Sequence, residues 1–298
     1  MWKIRIPAST SNLGPGFDTL GLAIKIYNII RIERQNKDTI EVRYTHPVNV
    51  GFKPTDDLFI HAYKIACKML GFAPEGLMVE VNNNIPAGAG LGSSATAVLG
   101  GIITAILLSG KKIDYQQVLD MAITIEKHPD NITPCLMGGF TVSGVVDGHV
   151  YYNKFSLTRD VKLLIAIPDF IVRTREARSV LPERFKLEDV VFNINRASYL
   201  VSAFIKRDLR NIQWAFQDRI HQPTRSKLVP GLEEIIDRAH KAGALGCFLS
   251  GAGPSVVALY EKNQYKIGRA ITMTWKQYRV KSRIILSEID NDGVKIIR

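Results

Sequence analysis

Pro86-Ala87-Gly88-Ala89-Gly90-Leu91-Gly92-Ser93-Ser94 lies between an alternating apolar run at 77–81 and a continuous helical apolar pattern at 93–108. Three glycines at alternate positions let the backbone curl with its N–H groups facing one point, directly ahead of a helix N-terminus. That geometry binds phosphate. A P-loop would need a Lys, and none is present; a dinucleotide fingerprint would need Gly where Ser93 stands. A hydroxyl from Ser93 or Ser94 in the first helical turn can also ligate the Mg²⁺ of a nucleotide. On glycine spacing alone, a tight strand-to-helix turn capped by a Ser remains open.

Around this unit the pattern is mixed. Residues 2–6 and much of 24–44 alternate apolar and polar residues, with a polar turn at Asn36-Lys37-Asp38, and predict antiparallel strands. Residues 7–21, PASTSNLGPGFDTLG, fit neither strand nor helix and predict a long loop, the kind often functional in compact domains. Asp56 or Asp57 is expected to cap a helix over 58–70, with Gly71 at its end. A further helix is expected over 114–126, followed by His128-Pro129-Asp130-Asn131 as a loop. Hairpin strands fit 141–155. In the second half, helices are expected near 189–206, 208–217, 231–242 and 264–277, and strands near 161–167, 244–249, 256–260 and 280–289. Hairpins interspersed with helices make the class α+β. Polar residues around 158–160 place a boundary there, giving domains 1–157 and 158–298.

The chain has 298 residues, of which 46% are hydrophobic and 22% charged, and this excludes a disordered, collagen-like or coiled-coil protein. Its net charge of +11 suits nucleic acid, an anionic membrane surface or a polyanionic small substrate. Cys67, Cys135 and Cys247 are too dispersed for a disulfide scaffold or a structural zinc site. The N-terminal residues lack a secretory h-region and the most apolar run, 95–108, is too short to span a bilayer, so the expected compartment is the cytoplasm.

Chemistry-bearing residues gather elsewhere too. Asn12 and Asp18 in the first loop can hold an amine or hydroxyl. Glu126, His128, Asp130 and Asn131 place two carboxylates on either side of an imidazole, with an amide beside them, a set able to ligate a metal and orient an alcohol. Arg173, Arg175 and Arg178, then Arg219, His221 and Arg225, supply guanidiniums suited to a bidentate grip on carboxylate or phosphate. Ser250-Gly251-Ala252-Gly253-Pro254-Ser255 joins two apolar strands and, alone, reads as a hairpin loop.

Taken in order, PASTSNLGPGFDTLG, PAGAGLGSSA, EKHPDN, VRTREARSVLP, IHQPTR and GAGPS make the chain, over nearly its whole length, resemble the GHMP small-molecule kinases, within them the branch acting on L-homoserine. The resemblance implies the GHMP kinase fold: an N-terminal domain with a left-handed βαβ crossover, a C-terminal ferredoxin-like domain, and an active site between them. It implies transfer of phosphate from ATP to the side-chain hydroxyl of L-homoserine, a step toward threonine, with ATP and Mg²⁺ required. By the same resemblance Pro86, Ala87, Gly88, Ala89, Gly90, Leu91, Gly92, Ser93, Ser94, Ala95 and Thr96 bind ATP, supported by Gly251, Gly253 and Ser255. Ser94 and Glu126 hold Mg²⁺; Asn131 orients the hydroxyl with no dedicated base. Asn12, Asp18, His128, Asp130, Thr174, Arg178 and Arg225 hold the amino acid. A zwitterion needs a carboxylate for its ammonium and guanidiniums for its carboxylate, and Asp18 with Arg178 and Arg225 supplies that set.

The chain departs from the family pattern at Lys127 (usually Gly), at Thr224 (usually aromatic), where a larger substrate pocket is expected, and in the order of the first loop's ASTSN. The nearest competing reading is a relative acting on another hydroxy acid such as mevalonate, for which Asp18 would have no use. A nucleic-acid-binding protein fits the charge, yet the basic residues are dispersed among acidic ones with no aromatic-basic platform. The partner expected is therefore a small molecule, with neither nucleic acid nor membrane; a homodimer is compatible with the pattern.

Overall fold

The computed structural model describes residues 1–36, 39–46, 57–157 and 160–297. Lys37, Asp38, Asp56, Thr158 and Arg159, on which the expected polar turn, one candidate cap and the domain boundary partly rest, lie outside them. Strand β1 (Trp2–Ser11) runs beside the long β2 (Leu20–Arg34), with a register shift at Pro7 and Ala8 where Pro cannot donate to the ladder. The loop expected from residue 7 therefore begins only at Asn12; Ser9 and Ser11 are strand residues.

Strand β3 (Ile40–Tyr44) does not fold back on β2 as the alternation suggested. Helix α1 (Leu58–Leu70) separates it from β4 (Leu77–Asn83), to which it pairs in parallel, and β4 lies between β3 and β2. A parallel pair needs a crossover connection, and α1 lies in that connection. Asp57 caps α1 through Oδ1, accepting from Phe59 N and Ile60 N, and Gly71 closes it in the left-handed region.

Helix α2 (Ser93–Leu108) follows the glycine loop, then α3 (Tyr115–Ile123) and α4 (Pro129–Met137). The HPDN stretch opens α4: His128 is its N-cap and Pro129 occupies the first turn, where a missing N–H costs nothing. The loop expected there is the entry of a helix. Strands β5 (Phe140–Val146) and β6 (His149–Phe155) form the expected hairpin, and β5 pairs with the start of β2.

The second half opens with β7 (Lys162–Pro168), followed by α5 (Thr174–Ser179) and α6 (Leu187–Lys206). A 3-10 helix at Ile212–Phe216 replaces the longer helix expected at 208–217, and α7 (Gln222–Arg225) is a single turn. Then come α8 (Leu232–Lys241), β8 (Gly246–Leu249), β9 (Val256–Tyr260), α9 (Gln264–Gln277) and β10 (Ser282–Glu288). The sheet order β10-β7-β9-β8 is fully antiparallel. Counted along its own chain that is four-one-three-two, the ferredoxin-like order. The unexpected β11 (Lys295–Ile297) returns to the first sheet and pairs with β1, so the chain's end is tied to its beginning.

Alternation explains how the halves pack. Leu163, Ile165, Phe248, Val257 and Leu259 share one buried cluster with Leu13, Leu20, Leu22, Leu91 and Phe140 of the first half. Their neighbours Leu164, Ala166, Cys247, Val256 and Ala258 face α8 and α9. A sheet covered on both faces reads as continuous apolar sequence. The glycine loop, through Ala89 and Leu91, is seated on this core between the sheets.

Candidate active site

One cleft of about 1080 Å³ opens where the end of β1, the 12–19 loop, the glycine loop, the start of α4, α5, α7 and the 250–253 loop converge. Two glycines explain the shape of its phosphate side. At Gly90 (φ +73°) a Cβ would lie 2.2 Å from Ser250 O, and at Gly92 (φ +72°) it would lie 2.1 Å from Ser9 Oγ. Only a residue without a side chain fits where the loop is pressed between β1 and the 250–253 turn. Ser250 Oγ donates to Gly90 O (2.6 Å) and Ser9 N to Leu91 O (3.2 Å). Buried Asn28 fixes the loop's flanks: its Nδ2 donates to Thr96 Oγ1 (2.8 Å) and its Oδ1 accepts from Ile85 N (3.0 Å). Gly92 is the N-cap of α2, so the positive end of that helix faces the cleft.

Ser94 is exposed, and its hydroxyl has no hydrogen-bond partner among the described residues; Glu126, half-buried, has none for its carboxylate. Both line the cleft. Among the described residues no cluster of three metal-ligating side chains occurs, so a cation here would need oxygen donors from a ligand.

Asn131 projects from the first turn of α4 toward β1. Its Oδ1 accepts from Ser9 Oγ (2.9 Å) and its Nδ2 donates to Ser11 Oγ (2.9 Å), while Cys135 Sγ donates to Ser9 Oγ (3.3 Å). Ser11 also faces Asp130, where its hydroxyl favours the ionised carboxylate. Asp130 is only 3% exposed, and burial, reinforced by the charge of Asp18, pushes its carboxyl up to about 7.

Asp18, in the left-handed region (φ 54°), receives Arg178 in a two-point grip: Nη2 to Oδ1 at 2.7 Å and Nη1 to Oδ2 at 3.1 Å. His128 Nδ1 lies 3.2 Å from Asp18 Oδ2. Burial lowers the His128 pKa against the pull of Asp18. Asn12 holds Asp18 in place, accepting from Asp18 N at 3.0 Å while donating to Gly251 O at 3.1 Å. Arg225 is buried; Nε donates to Ala177 O (3.1 Å) and Nη1 to Gly251 O (2.8 Å). Burial and the neighbouring Arg178 bring its guanidinium down to about 10, which leaves it fully charged at pH 7. Phe17 lies beneath both guanidiniums, 5.5 Å from Arg178 and 5.1 Å from Arg225.

The fold thus gathers Asn12, Asp18, Glu126, His128, Asp130, Asn131, Thr174, Arg178, Arg225, Gly251 and Gly253 around one cleft with Pro86, Gly88, Gly90, Ser93, Ser94 and Thr96. Ala89 and Ala95 are buried in the cores, and Ser255 is buried away from the cleft with an unpartnered Oγ. Arg219 turns outward over the Phe192 ring at 4.0 Å, and Thr224 Oγ1 donates back to Ile220 O at 3.3 Å without lining the cleft. Among the residues missed are Ser9 and Ser11, spaced two apart on one strand, Asn28, and the cleft-lining Glu41 and Arg43 of β3.

The chain matches the GHMP kinases N terminal domain over residues 57–139 and the GHMP kinases C terminal domain over residues 200–277. It is 40% identical over 298 residues to the homoserine kinase of Aquifex aeolicus, covering 99% of each chain. To that of Halothermothrix orenii it is 37% identical, covering 99% of this chain and 96% of the other. The crystal structure of homoserine kinase from Cytophaga hutchinsonii superposes with a TM-score of 0.87 at 30% identity, covering 99% of this chain and 96% of that one.

Proposed function

The chain belongs to the GHMP kinase family, among its homoserine kinases, and from that premise we propose how its residues transfer the terminal phosphate of ATP to the hydroxyl of L-homoserine. The observation that carries the substrate reading is the Asp18–Arg178 grip with Arg225 beside it. These are the charges a zwitterionic amino acid requires, supplied from the two halves of the chain, so a bound amino acid bridges them.

The loop from Pro86 to Thr96 and the positive end of α2 receive the phosphates. Ser94 and Glu126, oxygen donors without protein partners, suit Mg²⁺, which when bound neutralises charge on the transferring group. Asp18 takes the substrate ammonium, with Asp130 and His128 alongside; Arg178, Arg225 and Thr174 take the carboxylate. Asn131, held by Ser9 and Ser11, orients the hydroxyl. An amide cannot accept its proton, so positioning and charge neutralisation carry the transfer. With this reading go a cytoplasmic location and a place on the route to threonine.

The test is ADP release from MgATP with a panel of alcohols. L-Homoserine should be turned over much faster than L-threonine, L-serine or mevalonate; preference for mevalonate would move the chain to another branch of the family.

A further inference from the structure

We propose that His221 is a positioning residue that aims Arg225 at the acid group of the substrate. This rests on the reading that Arg225 meets the substrate carboxylate. His221 is wholly buried and does not itself line the cleft, but it contacts Arg225, which does. Its Nε2 lies 2.8 Å from Gly14 O and 3.4 Å from Asp218 Oδ2, both acceptors, so Nε2 carries the hydrogen. Its Nδ1 lies 3.2 Å from Arg225 Nη1, which can only donate, so Nδ1 carries a lone pair. The partners define one neutral tautomer.

The consequence falls on Arg225. Ala177 O occupies Nε; Gly251 O and His221 share Nη1. Nη2 alone keeps both its N–H groups for a ligand. His221 is itself immobilised: its ring stacks on Phe17 at 5.3 Å, and Asp218 accepts the backbone N–H of Ile220, His221 and Gln222 at 2.9, 3.0 and 2.6 Å. Through Gly14 the same imidazole ties α7 to the loop bearing Asp18. Losing the Nδ1 acceptor frees the guanidinium to rotate about its remaining bonds and withdraws Nη2 from the substrate, leaving the phosphate side untouched.

The experiment compares His221→Phe, which keeps the ring and removes both nitrogens, with His221→Asn, whose Oδ1 replaces the Nδ1 acceptor. His221→Phe should raise KM for L-homoserine by about 10-fold or more, with little change in kcat or in KM for ATP. His221→Asn should recover most of the loss, and with homoserine amide the two variants should match the wild type. Arg225→Ala serves as the control. If it leaves homoserine kinetics alone, the reading of Arg225 fails; if it raises KM while His221→Phe does not, the inference about His221 fails. Should the Phe variant not fold, histidine ¹⁵N spectra of the unaltered enzyme decide: a neutral Nε2–H ring at pH 7 is expected, and an imidazolium or the Nδ1–H tautomer overturns the proposal.

Discussion

Replacing Asp130 by Asn should stabilise the enzyme, and by an amount that grows with pH. The carboxyl lies 3% exposed against Asp18, and its pKa rises from 3.8 to about 7, chiefly through burial. Below pH 3.8 folded and unfolded chains both hold the proton and Asp130 costs nothing. Between that value and about 7 the unfolded chain has released the proton while the folded one keeps it, so stability falls as pH rises by about 1.4 kcal/mol per unit. Above 7 the accumulated cost is on the order of 4 kcal/mol, the product of roughly three units and that slope. Asn carries no such term. The measurement is urea unfolding of both proteins, without ligands, at pH 5, 6 and 8. The advantage of the Asn variant should be larger at pH 8 than at pH 5 by about 3 kcal/mol, two units of the same slope. Steric and hydrogen-bond differences between Asp and Asn do not vary with pH, so they cancel in that comparison. A stability difference constant from pH 5 to pH 8 would show that Asp130 is ionised throughout and refute the reasoning.

Glu126→Gln should lower kcat by orders of magnitude while leaving the melting temperature within a few degrees, since among the described residues its carboxylate makes no hydrogen bond or ion pair; near-normal turnover with unchanged Mg²⁺ dependence would remove it from the metal site. Arg178→Ala should cost about 10- to 150-fold in kcat/KM for L-homoserine, the worth of a charge-assisted hydrogen bond, and much less for homoserine amide. Weakened ATP binding with unaltered homoserine kinetics would assign that arginine to the nucleotide instead.

What could be read in advance follows from the range of the interactions. Helix α1 was legible because Asp57 and Gly71 are decided within one turn of its ends, and α2 because its apolar run follows the glycine loop directly; its cap is Gly92, not the Ser that the turn reading offered. The α4 entry was misread because Pro129 looks like a helix stop until one knows that it occupies the first turn. The partner of β3 was hidden because β4 comes more than 30 residues later, and β11 is three residues long and pairs with residues 3–5. At the site, Asp18, Glu126, Asp130, Arg178 and Arg225 announced themselves by type. Ser9 and Ser11 did not, because what makes them matter is an amide about 120 positions away.

On the proposed reading, the Asp18–Arg178 pair also sets how selection works. Asp18 and Arg178, each fitted to one end of a zwitterion, neutralise each other at 2.7 Å, with both side chains about 30% exposed. An amino acid can exchange that single pair for two, ammonium with Asp18 and carboxylate with Arg178, and no charge is left without a partner. A hydroxy acid lacking the amine would draw Arg178 away and strand Asp18 beside Asp130. An uncharged alcohol would offer neither group anything to leave the pair for. On that reading, discrimination against both would come from the pair the substrate must break, not only from the contacts it gains. It requires Arg178 to be free to move while Arg225 stays fixed, and the two differ in that way. Arg178 hangs from a six-residue helix with Asp18 as its one side-chain hydrogen-bonding partner among the described residues, whereas Arg225 is buried and held by three.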